Sequence, residues 1–257
     1  MACEETSVSE GNRKGQGVSH PDCTVLVTSC DAYRDVEGPF LQLFRKYWPD
    51  CPFELVIVSE TGAAAGFDRT ILMGKSPEWR TRTVGALEQI ETPYVLFLCN
   101  DYFLNAPVDT ARILSFVETM RVKNALNYRL CPDPPQAIKN TAYSVSCKAG
   151  IWDREFMLAL ARKYPSAWEF ERKGSYDFDP SDPRPLLVTA TQEFPFLDVV
   201  HKGYWEPWAA DFLRREKVDV DISRRGFPPL RIRVKEWIKN VIFRLNPDLV
   251  TRIQNRF

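Results

Sequence analysis

The sequence predicts an α/β fold in which helices cover both faces of a mostly parallel sheet. Short apolar runs alternate with segments of helical periodicity through the first half of the chain, and this order gives parallel strands joined by helices. The run at 94–98, Tyr-Val-Leu-Phe-Leu, is apolar throughout, which is typical of a strand buried on both faces. Pro93 precedes the run and Asn100-Asp101 follows it, so turn residues bound it at both ends.

The other elements follow from the same periodicities. Phe40, Leu43, Phe44 and Tyr47 recur at helical spacing, and Pro49 stops that helix. The first half of the chain predicts strands at 24–29, 53–59, 70–73 and 94–98, helices at 36–48 and 79–90, and a helix that begins near 109. The second half predicts short strands at 125–130, 143–146, 150–152 and within 186–200, helices at 154–163, from 166 and at 208–216, and an exposed loop at 173–185.

Composition indicates a cytoplasmic globular protein. The 257 residues carry no formal net charge, so no overall basic field points to a nucleic-acid partner. The seven cysteines form no Cys-x-x-Cys pair, which favours reduced thiols. The start of the chain has no apolar h-region, and no apolar stretch approaches ~20 residues, so neither a signal peptide nor a membrane span is expected.

The chain divides into three predicted parts. Residues 1–21 are polar and predict a disordered tail, 22–217 hold the α/β elements, and 218–257 predict a basic amphipathic helical extension. The apolar stripe of the extension is Val234, Trp237, Ile238, Val241, Ile242 and Leu245, and its basic residues are Arg231, Arg233, Lys235, Lys239 and Arg244. Such a helix either lies on an anionic membrane surface, as a peripheral contact, or packs against the preceding domain.

Asp101 follows the central strand directly, and open α/β sheets bind ligands at the carboxyl ends of their strands. An aspartate there can hold a divalent cation through oxygen, and the cation can hold a diphosphate. The alternative is that Asn100-Asp101 is a polar turn that ends a strand.

Four motifs then occur in an order that resembles one enzyme family. They are Thr24-Val-Leu-Val-Thr-Ser-Cys-Asp, Asn100-Asp-Tyr-Phe, Tyr143-Ser-Val-Ser with Ala149-Gly-Ile-Trp, and Ser166-Ala-Trp-Glu-Phe-Glu. Together they resemble a bacterial glycosyltransferase family of the GT-A type, met in surface- or capsular-polysaccharide clusters, from Cys23 to Trp208. The resemblance implies a Rossmann-like domain that transfers a sugar, with inversion, from a nucleotide diphosphate sugar to a saccharide or lipid-linked acceptor. The cysteine usage and the basic amphipathic stripe separately predict a location in the cytoplasm, with peripheral contact at the inner face of the membrane as the alternative.

The resemblance implies a set of donor-binding residues. They are Thr28, Ser29, Cys30, Asp31, Arg82, Asn100, Asp101, Gly150, Trp152 and Lys202. Gly150 would let the backbone approach the donor sugar, and Trp152 would offer a stacking face. Each has an ordinary alternative: a turn after the first strand, a solvated arginine, a buried aromatic beside a glycine, or a lysine in water.

A Mg²⁺ or Mn²⁺ ion is expected at the same place. The family usually carries two acidic residues after the central strand, and Asn100 departs from that pattern because an amide oxygen is the poorer ligand. Asp101 therefore becomes the expected metal ligand, with His201 as the late histidine that the family often adds. The alternatives are weak metal binding, no metal, and a hydrogen-bonded His201 at a strand end.

Inverting transfer needs a carboxylate to accept the proton of the attacking hydroxyl. The resemblance makes Glu169 the first choice and Glu171 the second, and residues two apart on a helix point about 200° apart. Ser166-Ala-Trp-Glu169 is also a capping box, in which the same glutamate would only close the helix terminus.

Two other functions remain open at the level of sequence. A sugar-1-phosphate nucleotidyltransferase would share the fold, although no glycine-rich phosphate loop follows the first strand. A degenerate GT-A domain that binds sugar or a partner without catalysis is the other, because Asn100 weakens the expected acidic pair.

Overall fold

The computed structural model describes residues 22–75, 78–133, 137–232, 234 and 238. Its centre is a seven-stranded sheet in the order β3-β2-β1-β4-β7-β6-β8. Strands β1 to β4 are parallel, β7 is antiparallel to both neighbours, and β6 and β8 are parallel to each other. The predicted α/β fold with a mostly parallel sheet is therefore confirmed.

The elements have the following bounds. The central sheet contains β1 Cys23–Thr28, β2 Glu54–Ser59, β3 Arg69–Leu72, β4 Tyr94–Cys99, β6 Asn127–Arg129, β7 Gly150–Asp153 and β8 Leu186–Val188. Two short ladders pair β5 Tyr102–Leu104 with β9 Phe196–Asp198 and β10 Val200–His201 with β11 Tyr204–Trp205. The α-helices are α1 Arg34–Tyr47, α2 Trp79–Leu87, α3 Thr110–Lys123, α4 Arg154–Ala161, α5 Ala167–Gly174 and α6 Ala209–Glu216.

Alternate residues of the central strands pack into two separate hydrophobic clusters, one on each face of the sheet. In β4, Leu96 and Leu98 pack with α1, α3 and α6, whereas Val95 and Phe97 pack with α2, α4 and α5. Successive side chains of a strand point to opposite faces, so this division shows that helices cover both faces of the sheet. The Rossmann-like layering implied by the resemblance is present.

One predicted strand is wrong. Residues 143–146 do not form a strand, because Tyr143 has the left-handed φ of 58° and the segment hydrogen-bonds to a helix end instead of a neighbouring strand. The Ser144 hydroxyl donates to the Ser175 carbonyl at 2.7 Å, and the Val145 amide donates to Ser175 Oγ at 3.0 Å. The segment is therefore fixed beside α5, where it borders the site described below.

The compact unit extends beyond residue 217. Val218 is buried in the same core, and Arg225 pairs with Asp35 of α1 at 2.5 Å, with both side chains almost fully buried. The Arg225 guanidinium also lies 4.3 Å from the centre of the Tyr33 ring. Residues 218–226 thus pack on the α/β unit as part of it.

The predicted tail at 1–21 lies outside the described residues, as do Trp237, Val241, Ile242 and Leu245 of the apolar stripe. Residues 230–232, 234 and 238 are helical. Within the part of the chain that the structure describes, no helix has both the length and the apolar character needed to cross a membrane.

Candidate active site

A cleft of about 390 Å³ opens beside the carboxyl end of β4. Its charged or titratable lining residues are Asp133, Lys148, Glu171, Asp198 and His201. Its other lining residues are Tyr102, Tyr143, Ser146 and Trp168. They come from the segment after β6, the 143–148 segment, α5, the β5–β9 ladder and the β10–β11 hairpin, so distant parts of the chain converge on one concavity. A concave site with convergent polar groups is the usual form of a small-molecule site.

Glu171 is held in the cleft by one of its two carboxylate oxygens. The Cys147 amide donates to Oε1 at 2.7 Å, and the Ser146 hydroxyl donates to the same oxygen at 3.1 Å. Oε2 accepts no hydrogen bond from the described residues. Burial raises the pKa of Glu171, although both hydrogen bonds and the nearby Lys148 ammonium act to lower it. A carboxylate with one fixed oxygen, one open oxygen and a raised pKa is suited to accept a proton near neutral pH.

Glu169 does not line the cleft. Its backbone amide donates to Ser166 Oγ at 3.2 Å, and its carboxylate pairs with Lys173 at 2.5 Å. These partners hold the pKa of Glu169 below its usual range, the hydrogen bond from Lys173 first. Glu169 thus takes part in the helix cap through its amide, which is one half of the predicted capping box, and the Ser166 hydroxyl donates to its carboxylate at 3.4 Å. The second choice, Glu171, is the glutamate of this helix that lines the cleft.

The exposed aromatic of the site is Trp168 and not Trp152. Trp168 is 56% exposed and lines the cleft, whereas Trp152 is fully buried between Phe156 and Phe170. The stacking role expected for Trp152 is wrong, because an indole with no exposed surface cannot meet a sugar ring. Trp152 fills the core under the sheet, as the buried-aromatic alternative stated.

Tyr143 lines the cleft with a strained backbone. Its φ of 58° is uncommon for a residue with a Cβ, and its carbonyl accepts a hydrogen bond from buried Arg129 at 2.9 Å. Strained residues fixed by surrounding contacts concentrate at functional sites.

Two acidic residues, Asp101 and Asp198, lie near each other where β4 ends. The Val199 amide donates to the Asp101 carbonyl at 3.1 Å, and Tyr102 pairs with Asp198 in the β5–β9 ladder. Burial raises the pKa of half-buried Asp101, repulsion from Asp198 adds to it, and Arg225 opposes it. Partial loss of water also raises the pKa of Asp198, which is exposed within the cleft, and repulsion from Glu206 adds to it. The two acids therefore form an electrostatically unfavourable pair at the expected ligand position.

Such a pair fits part of a divalent cation site. Carboxylate oxygens are the hard donors that Mg²⁺ and Mn²⁺ prefer, and a cation would relieve their repulsion. His201, the other expected ligand, lines the same cleft as Asp198. Across the described ranges, however, no three His, Cys, Asp or Glu side chains gather closely enough to hold a metal ion by themselves.

Asn100 has a structural role next to this pair. Its side-chain amide is buried and donates to Ser29 Oγ at 2.8 Å and to the Tyr33 carbonyl at 3.0 Å. Ser29 in turn donates to fully buried Glu37 at 2.6 Å, and Glu37 also accepts from the Ala64 amide at 2.7 Å. Asn100 and Ser29, both expected to face the donor, instead join β1, β4, α1 and the 61–66 loop.

Cys30 and Asp31, the other donor-binding residues expected directly after β1, lie in a second cluster, with Glu60, Thr61 and Arg82. Glu60 accepts from the Asp31 amide at 3.0 Å and from Arg82 at 2.8 Å. The Asp31 carboxylate accepts from both the amide and the hydroxyl of Thr61, at 3.1 and 2.8 Å. Cys30 lies close enough for the Arg82 charge to lower its thiol pKa, although burial raises that pKa overall. Arg82 thus forms a largely buried ion pair with Glu60 and does not lie on a solvated helix face, which was its ordinary alternative.

The remaining expected donor residues lie apart from the cleft. Thr28 is buried in β1, and its carbonyl accepts from the Asn100 amide at 3.2 Å. A Cβ on Gly150 would lie 3.3 Å from the Tyr128 carbonyl, so glycine there allows close approach of β6. Lys202 is exposed, and its φ of 52° with that of 82° at Gly203 builds the two-residue turn between β10 and β11.

Sequence reasoning missed Asp198, Lys148, Asp133 and Ser146 as site residues. Asp198 lies on an edge strand far along the chain from Asp101, and no local pattern signals their pairing. Ser146 and Trp168 did stand inside the quoted motifs, and Trp168 could have been found because an aromatic three residues before Glu171 shares its helix face.

No family model and no curated protein sequence matches the chain. Solved structures that align with it include a cytidylyltransferase from Leptospira borgpetersenii, with 9% identity, a TM-score of 0.46, and coverage of 77% of this chain and 96% of that one. Staphylococcus aureus TarS 1-349 in complex with UDP-GlcNAc aligns with 14% identity and a TM-score of 0.44 over 79% of this chain and 69% of that one. The mannosyltransferase PcManGT from Pyrobaculum calidifontis, in complex with GDP-Man and Mn²⁺, aligns with 12% identity and a TM-score of 0.45 over 84% and 70%. Similarities at this level assign neither a family nor an activity.

Proposed function

We propose that the chain is an inverting glycosyltransferase that moves a sugar from a nucleotide diphosphate sugar to a saccharide or lipid-linked acceptor. The observation that carries the proposal is Glu171, which lines the cleft and whose Oε1 is fixed by two donors while Oε2 accepts no hydrogen bond from the described residues. General-base catalysis needs this combination of fixed position and free oxygen. The family resemblance of the ordered motifs supplies the substrate class, including the expectation that the product belongs to a surface polysaccharide.

In the proposed reaction the acceptor hydroxyl oxygen forms a bond to the anomeric carbon of the donor. The bond between that carbon and the diphosphate oxygen breaks, and the nucleoside diphosphate leaves with the electron pair. Glu171 Oε2 accepts the hydroxyl proton as the new bond forms. The pKa of Glu171, raised by burial, gives it more basicity than an exposed glutamate would have.

A Mg²⁺ or Mn²⁺ ion is part of the proposal. Asp101 and Asp198 would hold it, with His201 nearby, and oxygens of the donor diphosphate would complete the coordination. When bound, the ion would neutralise charge on the leaving diphosphate. The closeness of two carboxylates supports this, because an anionic donor would otherwise meet like charge at the end of β4.

The direct test is product analysis with a panel of nucleotide sugars, with Mn²⁺ and with EDTA. Release of nucleoside diphosphate together with a glycosylated acceptor supports the proposal. Formation of a nucleotide sugar from a nucleoside triphosphate and a sugar-1-phosphate, with pyrophosphate release, would show the nucleotidyltransferase instead. Saturable binding of nucleotide sugars without turnover would identify the non-catalytic binding module.

Peripheral contact with a membrane is a further part of the proposal. Leu230, Val234 and Ile238 are 72%, 46% and 46% exposed on helical backbone, and the sequence around them is basic. Basic and apolar residues in one helix favour the surface of an anionic bilayer, where a lipid-linked acceptor would be found.

A further inference from the structure

Trp168 and Glu171 lie side by side in the cleft. They are three residues apart on α5, and residues with this spacing are neighbours on one helix face, about 5–6 Å apart at Cβ. Trp168 is the exposed member at 56%, and Glu171 is held by hydrogen bonds from Ser146 and Cys147 to its Oε1. A sugar ring that lies with its C–H face on the indole would therefore have its edge next to the proposed base.

The charges around this pair select against anions. Asp133, Glu171 and Asp198 all line the cleft, and Lys148 is engaged with Asp133 at 2.5 Å. Three carboxylates thus face one ammonium, which is paired with Asp133, and the His201 imidazole, so a carboxylate or phosphate on a ligand would meet a net negative field. A neutral sugar would meet no such penalty, and its C–H face suits the face of an indole.

We infer that the part of the cleft formed by Trp168, Glu171 and Asp133 is the acceptor subsite. With no cation bound at Asp198, this subsite takes an uncharged pyranoside, stacked on Trp168, and disfavours sugars that carry a carboxylate or phosphate. This inference rests on the proposed function, because it names the acceptor of that reaction. Trp168 binds the ring, Glu171 faces one of its hydroxyls, and repulsion from Asp133 and Asp198 provides the discrimination.

The test is saturation-transfer NMR and calorimetry with the full chain, without donor and without divalent cation. The probes are methyl pyranosides of glucose, galactose, mannose and N-acetylglucosamine, with methyl glucuronide as the anionic member. We expect at least one neutral glycoside to bind and the glucuronide to bind at least about tenfold more weakly than its glucoside counterpart at low salt. High salt should narrow that difference, because screening weakens the repulsion.

Variants locate the subsite. Trp168→Ala should weaken binding of the neutral glycoside by about tenfold or more, and Trp168→Phe should weaken it less, since a smaller aromatic face persists. Trp208→Ala is the matched control, because Trp208 is 40% exposed and does not line the cleft. Asp133→Asn should reduce the difference in binding affinity between the glucoside and the glucuronide.

The inference is overturned if no neutral glycoside binds, if Trp168→Ala binds as the wild type does, or if the glucuronide binds as tightly as the glucoside. The results distinguish failure of this inference from failure of the proposed function. If Trp168-dependent binding is found but no transfer, the subsite stands and the transferase does not. If transfer is found but Trp168→Ala leaves the acceptor KM unchanged, the transferase stands and the subsite does not.

Discussion

The side-chain amide of Asn100 donates to Ser29 Oγ at 2.8 Å, and the Ser29 hydroxyl donates to the Glu37 carboxylate at 2.6 Å. The residue that departs from the expected acidic pair is therefore a donor between two acceptors, because the Tyr33 carbonyl lies 3.0 Å from the same amide nitrogen. A carboxylate at this position could not donate to either of them.

Asn100→Asp should destabilise the protein instead of improving metal binding. The change removes both hydrogen bonds and adds a charge near buried Glu37, at a cost of about 2–4 kcal/mol. Urea denaturation would measure it. Asn105→Asp is the control, since Asn105 is exposed and the change should stay within about 0.5 kcal/mol. A variant at position 100 as stable as the wild type would refute the structural role of Asn100.

Glu171→Gln and Glu169→Gln should separate the base from the cap. Gln at 171 can still accept at Oε1 from Cys147 and Ser146, so folding and donor affinity should persist while kcat falls by about 10²-fold or more. Gln at 169 loses the ion pair with Lys173 and should keep nearly full turnover. Steady-state kinetics would measure both, and loss of turnover only in Glu169→Gln would return the base to that residue.

Ser146→Ala should move the acid limb of the pH profile to higher pH. The Ser146 hydroxyl stabilises ionised Glu171, so its removal raises a pKa that burial already raises. The base acts when ionised; kcat/KM rises as pH passes its pKa, and the limb should move up by about one pH unit. Above both pKa values the rate should return towards that of the wild type.

Ser144→Ala is the control for this profile. The Ser144 hydroxyl donates to the Ser175 carbonyl and makes no hydrogen bond to Glu171. It should lower stability and leave the limb in place. If the two variants give the same limb, Ser146 does not act through Glu171.

Asp101→Asn should stabilise the protein at pH 8 and lose that advantage in acid. Burial and Asp198 raise the pKa of Asp101 in the folded state. A raised folded pKa means that the stability contribution is complete below the ordinary aspartate pKa and is lost as pH rises through the raised value. The melting temperature should therefore exceed that of the wild type at pH 8, with each kcal/mol worth about 2–4 °C. Asp211→Asn, at an exposed ion pair on α6, should show no comparable pH dependence.

With Mn²⁺ at pH 8, the wild type should melt at a higher temperature than Asp101→Asn. A cation that binds the folded state raises the melting temperature, and the wild type carries the full acidic pair. Asp101→Asn and Asp198→Asn should each lose most of the increase that millimolar Mn²⁺ gives at pH 8. An equal increase in all three proteins would exclude the acidic pair as the cation site.

The sequence predicts the layers of this fold better than it predicts the site. The apolar run at 94–98 and the helical spacing of Phe40, Leu43 and Phe44 are local patterns, and each becomes the expected strand or helix. The site depends on contacts between distant segments. Ser29 and Asn100 have the residue types of a donor site, but their partners, Glu37 and the Tyr33 carbonyl, become visible only when β1, β4 and α1 are brought together.

The two glutamates of α5 also show that local sequence patterns do not determine which residue enters the site. The helix geometry predicts that only one of Glu169 and Glu171 can face a cleft, and Glu171 is the one that lines it. Which one faces it depends on the amide of Cys147, which lies 24 residues before Glu171 in the chain and carries no signal of its own in the sequence.

Binding to anionic vesicles should depend on the exposed apolar face at the end of the described chain. Leu230, Val234 and Ile238 are spaced four apart, so they lie on one face of the helix. In vesicle flotation the full chain should bind phosphatidylserine-containing vesicles, bind phosphatidylcholine vesicles poorly, and lose binding in high salt, since each basic residue near the surface contributes about 1 kcal/mol. Leu230→Ser combined with Val234→Ser and Ile238→Ser should abolish flotation and leave the melting temperature unchanged, because exposed side chains contribute little to the core. A lowered melting temperature without any flotation of the wild type would show instead that this face packs against the α/β unit.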